Sequence, residues 1–279
     1  MNPAGKLRAW LVLARASNLP TVWSNCIAGC WLGGWNRWPV VLLVCAAGTL
    51  FYTGGMFLND VCDVSFDRQY KRERPIVACQ VGRAQAGIAA VILFFIGLVL
   101  ASAINHKALL FSAILVLVIT AYDLLHKRIS WAPVLMGACR LLLYLVAAAA
   151  GLLGLTPRAL LFGVALGLYV VGLSYHARGE SGGKRHSIVW LLLLLVPLLA
   201  ALYFDFPKLT LLCALPLVLW ICRAFFLAKQ NVAQGVAALL AGIVLVDLLA
   251  VSPTSMLAWI GFAGLFGAAF LFQRYVPAT

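Results

Sequence analysis

The sequence predicts an all-α fold: a polytopic transmembrane bundle of nine to ten helices around a central cavity that opens to the cytoplasmic side. Three observations carry this. Of 279 residues, 64% are hydrophobic and only 10% charged, whereas soluble domains average about 45–50% apolar and about 25% charged. Mean hydropathy is +1.02, and the apolar residues are gathered into runs near the roughly 20 residues that a helix needs to cross a bilayer core. The basic residues fall in alternate connections between these runs.

In chain order the runs are 17–35, 39–58, 85–104, 108–122, 131–154, 158–175, 187–204, 208–228, 231–250 and 254–272. Pro20, Pro39, Pro133, Pro157, Pro207 and Pro253 stand near their starts, where a helix has no use for the missing N–H. Span 231–250 contains Gln234, Gly235 and Asp247, which leaves the count between nine and ten. Runs such as Leu191 to Ala201 do not alternate, which excludes a transmembrane β-barrel. Residues 1–16 show no small-residue cleavage site, and Leu7 to Ala14 is expected as an interfacial helix. No linker rich in Ser, Gly or Pro divides the chain, so 1–279 is expected to be a single domain. The eight cysteines show no CxxC or metal-site spacing. Most sit in spans as small hydrophobes, so neither disulfides nor a zinc or iron–sulfur site is expected.

With the N-terminus cytoplasmic, sixteen of the 21 Lys and Arg residues lie on that side and four on the other, with Arg140 inside a span. This is the asymmetry of the positive-inside rule. The net charge of +13 is therefore read as short loops facing anionic lipid headgroups or an anionic substrate. It does not point to nucleic acid, because no basic soluble domain exists to bind it. The expected location is a multi-pass membrane protein, of a bacterial inner membrane, with its functional loops cytoplasmic.

The longest polar stretch, 59–85, carries the chemistry. It begins Asn-Asp-Val-Cys-Asp-Val-Ser-Phe-Asp-Arg-Gln-Tyr-Lys-Arg-Glu-Arg-Pro. Continued helix would put Asn59, Asp63 and Asp67 on one face, with Asp60 three residues before Asp63. Clustered carboxylates at a membrane surface call for a cation, and oxygen donors at this spacing suit Mg²⁺ bridging to substrate phosphates. Arg68, Lys71, Arg72 and Arg74 follow at once and could clamp an anion held by that metal. The combination suggests a diphosphate whose tail lies in lipid. A solvated loop with surface Asp–Arg pairs does not explain the regular spacing just past a span end.

Asn59, Asp60, Asp63, Asp67, Arg74 and Pro75 resemble the first signature of the UbiA-type intramembrane prenyltransferases, Asn-Asp-x-x-Asp-x-x-x-Asp followed by Arg-Pro. Tyr122 with Lys127 and Arg128 resembles that family's Tyr-then-Lys element, and Arg15 and Asn18 with Asn25 and Gly29 resembles its first-helix region. The resemblance implies Mg²⁺-dependent transfer of an isoprenoid from a prenyl diphosphate to a small, often aromatic acceptor, with the prenyl tail in a tunnel open to lipid. It implies that Asn59, Asp60, Asp63 and Asp67 bind metal and that Lys127, Arg72 and Arg68 hold the diphosphate. Tyr122, Asn25 and Arg15 would line the cavity.

The family's second Asp-rich element corresponds here to 174–186, with His176 and Glu180 at the two Asp positions. That stretch also resembles a divergent, EboC-like subgroup linked to specialised-metabolite clusters. Neutral His suits softer metals than Mg²⁺, so three readings stay open. Arg178, Lys184 or Arg185 supplies charge in place of a second metal site, His176 has become a base or substrate contact, or ionisation is lost. Glu180 is kept as a metal or phosphate contact. Arg140, ionisable within a span, is expected to face the cavity and bind the acceptor or the diphosphate. Asp247, near the far face, is expected to be interfacial. Two rival functions remain: a related scaffold that binds or moves an amphipathic molecule without cleaving it, and an ion-coupled transporter. The second would need acids at mid-membrane, whereas these cluster at one face.

Overall fold

A computed structural model describes residues 3–181, 188–204 and 208–276. The chain runs α1 (Pro3–Leu13), a 3₁₀ turn (Ala16–Asn18), α2 (Leu19–Leu32), α3 (Trp38–Cys62), α4 (Val64–Tyr70), α5 (Arg83–Ile104), α6 (His106–Leu125) and α7 (Ala132–Ala149). It continues with α8 (Pro157–Ser181), α9 (Ile188–Leu193), α10 (Val196–Tyr203), α11 (Lys208–Gln230), α12 (Val232–Val251) and α13 (Met256–Phe272). Every expected span falls on helix. Among the described residues seven helices (α3, α5, α6, α7, α8, α11 and α12) are long and apolar enough to cross a membrane. The expected span 187–204 is interrupted instead, with a turn at Leu194–Leu195 between α9 and α10. Pro197 sits in the first turn of α10, where it starts a helix readily and cannot continue one.

Burial sorts the helices. α12 is enclosed almost throughout, and Gly235 to Val251 are nearly all buried. α5 and α11 keep broad apolar faces exposed, including Ile88, Val91 and Phe95 on one and Leu211, Leu215 and Leu219 on the other. Such continuous apolar surface is suited to acyl chains rather than water, and the molecule is an integral membrane protein. Where helices meet, small residues let backbones touch. Gly33 of α2 lies so close to α7 that a Cβ there would stand 2.3 Å from the Ala148 carbonyl oxygen, and one at Gly29 would stand 2.6 Å from the Ala147 Cβ. α1 lies on α3 through Trp10 and Phe57, whose ring centroids are 5.1 Å apart.

Candidate active site

The first-motif residues sit where α3 gives way to α4. Asp63 occupies the junction, yet helical hydrogen bonding crosses it. The Asp63 amide donates to the Asn59 carbonyl (2.9 Å) and the Asp67 amide to the Asp63 carbonyl (2.8 Å). The four-residue spacing therefore keeps Asn59, Asp60, Asp63 and Asp67 together, all buried. Buried acids require partners, and two distant arginines supply them. Arg74, on the segment returning after α4, pairs with Asp60 and brings Nε to 3.9 Å from Asp67. Arg15 is held in left-handed backbone (φ 44°) just before the 3₁₀ turn, a conformation that costs an L-residue roughly 1–2 kcal/mol. From there Nη2 reaches Asn59 Oδ1 at 3.1 Å and Asp60 Oδ1 at 3.3 Å.

The end of α6 closes the other side. Asn59 Nδ2 donates to Asp123 Oδ1 at 3.0 Å. His126 Nδ1 lies 3.2 Å from the carbonyls of Tyr122 and Asp123, and Nε2 is turned to Asp63 at 3.2 Å. Lys127 Nζ is also 3.2 Å from Asp63 and lies 3.8 Å from the Phe66 ring centroid. Burial pushes the Asp63 carboxyl up, but His126 and Lys127 outweigh it and hold the group below the ordinary carboxylate range. Asp67 goes the other way, because burial, with Asp63 and Asp60 nearby, outweighs the pull of Arg74. Burial lowers the Lys71 ammonium, and the neighbouring Arg74 and Arg15 charges lower it further.

These groups form one end of a cavity of about 370 Å³ ringed by α2, α3, α6, α7, α8 and α12. Arg15, Asn59, Asp63, Lys71, Arg74 and Lys127 line its polar end, and residues such as Val22, Phe51, Leu115, Ile119, Leu143 and Ile243 line its apolar walls. Tyr52, Tyr122 and Arg140 also contribute to the wall. Tyr122 stacks on His126 with centroids 5.0 Å apart. Arg140 donates from Nη1 to Asn25 Oδ1 at 2.7 Å and from Nη2 to Thr21 Oγ1 at 3.0 Å.

The structure thus brings together Arg15, Asn59, Asp60, Asp63, Asp67, Arg74, Tyr122, Lys127 and Arg140. Four expectations are corrected. Arg68 and Arg72 are exposed and absent from the cavity wall, where Lys71 stands instead. The reason is that α4 stops at Tyr70 and the backbone of Lys71 leaves helical geometry (φ −141°, ψ 61°), so helical periodicity does not carry on to Arg72. Asn25 is fully buried behind the wall, joined to Arg140 rather than lining the cavity. His176 is also off the wall. α8 turns Val170, Leu173, Ser174, Ala177 and Arg178 to the cavity, which leaves His176 packed edge-on against Phe225 of α11 at 5.6 Å. Asp247 is not interfacial but fully buried, accepting from Ser24 Oγ (2.6 Å) and Asn25 Nδ2 (2.7 Å). Glu180 belongs to the backbone of α8, but its side chain and all of Lys184 lie outside the described residues.

Asp123 and His126 were not singled out by sequence reasoning. Asp123 carried a signal, as an acid directly after the apolar run 108–122, and His126 follows Tyr122 by one helical turn on the same face. Among the described residues no three of His, Cys, Asp or Glu form a ready metal-ligand cluster. The donor chemistry nevertheless fits a hard cation. Asn59 and Asp63 line the polar end, and buried Asp123 Oδ2 accepts no hydrogen bond among the described residues.

Residues 17–240 match the model of the UbiA prenyltransferase family. The chain is 36% identical over 105 residues to digeranylgeranylglyceryl phosphate synthase of Ignicoccus hospitalis, which covers 38% of this chain and 34% of that protein. It is 28% identical over 143 residues to 4-hydroxybenzoate octaprenyltransferase of Acidovorax ebreus, covering 48% and 49%. The matches thus span a third to a half of these curated relatives. Among solved structures, a digeranylgeranylglyceryl phosphate synthase superposes with TM-score 0.64 at 18% identity, over 95% of this chain and 99% of that one. A UbiA homologue from Aeropyrum pernix gives 0.53 at 19%, over 94% and 95%. One from Archaeoglobus fulgidus, bound to GPP and Mg²⁺, gives 0.52 at 17%, over 95% and 99%. At such identities the structures establish the shared fold, and the sequence match over 17–240 establishes the lineage: the chain belongs to the UbiA prenyltransferase family.

Proposed function

We propose that this protein is a Mg²⁺-dependent integral-membrane prenyltransferase that moves an isoprenoid from an allylic diphosphate to a small acceptor, acting as one domain over 1–279. The observation that carries this is a single cavity with acids and cations at one end and apolar walls beyond. That polarity matches a substrate with a polyanionic head and a hydrocarbon tail. Asn59, Asp60, Asp63 and Asp67 are the donors that would hold Mg²⁺, which when bound offsets negative charge developing on the leaving diphosphate. Lys127, Lys71, Arg74 and Arg15 bind and orient the diphosphate as charge-assisted donors. Tyr52 and Tyr122 line the cavity, where an aromatic face would stabilise an allylic cation, and the apolar walls would keep water from quenching it. The polar end faces the cytoplasm of a bacterial cell, in accord with the basic loops. The Archaeoglobus fulgidus homologue bound to GPP and Mg²⁺ supports the donor and the metal.

A second reading has two observations in its favour. Asp60, Asp63 and Asp67 are already engaged by internal cations, and His176 lies off the wall, as in a scaffold that binds an amphipathic molecule without cleaving it. Diphosphate release separates the two. Purified protein in detergent, given a panel of allylic diphosphates, should release inorganic diphosphate with Mg²⁺ and not with EDTA. Asp63→Ala should cut the rate about 100-fold or more with the thermal unfolding transition retained. Absence of release with every donor, from folded protein, would leave the scaffold reading.

A further inference from the structure

Arg178 lies in the last turn of α8, half-buried, on the face that α8 turns to the cavity. The sequence offered it as replacement charge for a second metal site. Its hydrogen bonds give it a different role. Nη2 donates to the His126 carbonyl at 2.6 Å, and Nη1 lies 3.4 Å from the carbonyls of Ile129 and Ser130.

Those three carbonyls belong to the turn that leaves α6. A helix ends with carbonyls that have no partner in the helix itself. Here the Arg128 and Ile129 amides both go to the Leu125 carbonyl, at 2.7 and 3.1 Å. The carbonyls of His126, Ile129 and Ser130 take their donor from another helix instead. A planar guanidinium with five N–H groups can hold two separated points at once, which an ammonium does poorly. Arg178 spans in this way from residue 126 to residues 129 and 130, and ties the end of α6 to the end of α8.

The same turn carries two cations or potential cations that reach Asp63. Lys127 Nζ is 3.2 Å from Asp63 and 3.8 Å from the Phe66 ring centroid, and His126 reaches Asp63 beside it. The Lys127 side chain is 43% exposed, so packing does little to fix it, and holding so long a side chain in one geometry costs entropy. Its aim therefore depends on where the backbone of the turn is held. We infer that Arg178 is a positioning residue for Lys127: it clamps the 126–130 turn from α8 and so directs the ammonium to the diphosphate end of the cavity. Arg178 then contributes order there rather than a replacement charge. The substrate in this inference rests on the prenyl-transfer reading, whereas the clamp does not.

The test is a double-mutant cycle on the full chain in detergent, Arg178→Gln against Lys127→Met, read by calorimetric binding of geranyl diphosphate with Mg²⁺. Arg178→Gln should weaken binding about fivefold or more when Lys127 is present and less than about twofold when it is replaced. Arg178→Lys keeps the charge but not the two-point clamp, so it should not restore the parent affinity. Hydrogen exchange reads the clamp without any ligand. The amides of 126–130 should exchange about tenfold faster in Arg178→Gln. Equal losses with and without Lys127 would make Arg178 a direct ligand and overturn the inference. No loss in either background, full recovery with Arg178→Lys, or unchanged exchange would overturn it as well. If Arg178→Gln does not fold, Arg178→Lys carries the same cycle and the same exchange measurement. If folded parent protein binds no geranyl diphosphate, the prenyl-transfer reading fails, and exchange alone decides the clamp.

Discussion

Asp63 shows how one carboxyl group can be read twice. Its spacing from Asn59 and Asp67 was legible in the sequence, because it follows from helical periodicity alone. Its partners were not, because His126 and Lys127 are about sixty residues away and reach Asp63 only once α6 packs beside α3. The same limit explains Lys71 and Arg72, since a local departure from helix after Tyr70 decides which of two adjacent cations faces inward. The pairing has a pH signature. The folded-state pKa of Asp63 is depressed, so its contribution is present above the unfolded value of about 3.9 and is lost as pH falls through the lower folded value. Asp67, with a raised pKa, runs in the opposite sense, losing stability as pH rises through its folded value. Thermal unfolding in detergent should therefore show an acid-side loss that is smaller in Lys127→Met than in the parent. The effect should be modest, because Lys127 is 43% exposed and solvent screens the pair.

At the scale of elements, the contact between α2 and α7 matters most for the deep end of the cavity. α2 carries Thr21 and Asn25, α7 carries Arg140, and Gly29 and Gly33 set the distance between the two helices. Gly33→Leu should destabilise the protein by about 1–3 kcal/mol through overpacking, seen as a lowered unfolding temperature, whereas Gly261→Leu, with open space around it, should not. Hydropathy gave ten runs that all fall on helix, but not the neighbours of those helices. It gave no sign that the run 187–204 would break into α9 and α10, since every residue from Ile188 to Ala201 apart from Pro197 is apolar or aromatic. Nor could it show that α12 would be surrounded by other helices. That enclosure is why Asp247 is a core residue and not an interfacial one.

For the whole molecule, the distribution of basic residues and the position of the polar end make one joint statement about sidedness. Cys79 lies exposed on the segment between α4 and α5, on the same side as the Asp motif. A membrane-impermeant maleimide should label it in inside-out vesicles and not in intact cells, with Cys79→Ser as the control; labelling from outside would invert the topology. The polar end has a further property. Asp60, Asp63, Asp67 and Asp123 stand there beside Arg15, Lys71, Arg74, Lys127 and Arg178, so most of the formal charge is already offset internally. Such a mouth offers little net field to a lone divalent cation or a lone polyanion, each of which would have to displace an internal partner. Two ions of opposite sign arriving together can exchange places with those partners and keep the balance. Occupancy by either should then rise with the concentration of the other, and by equal factors in both directions, so that metal and polyanion are expected to enter as a pair.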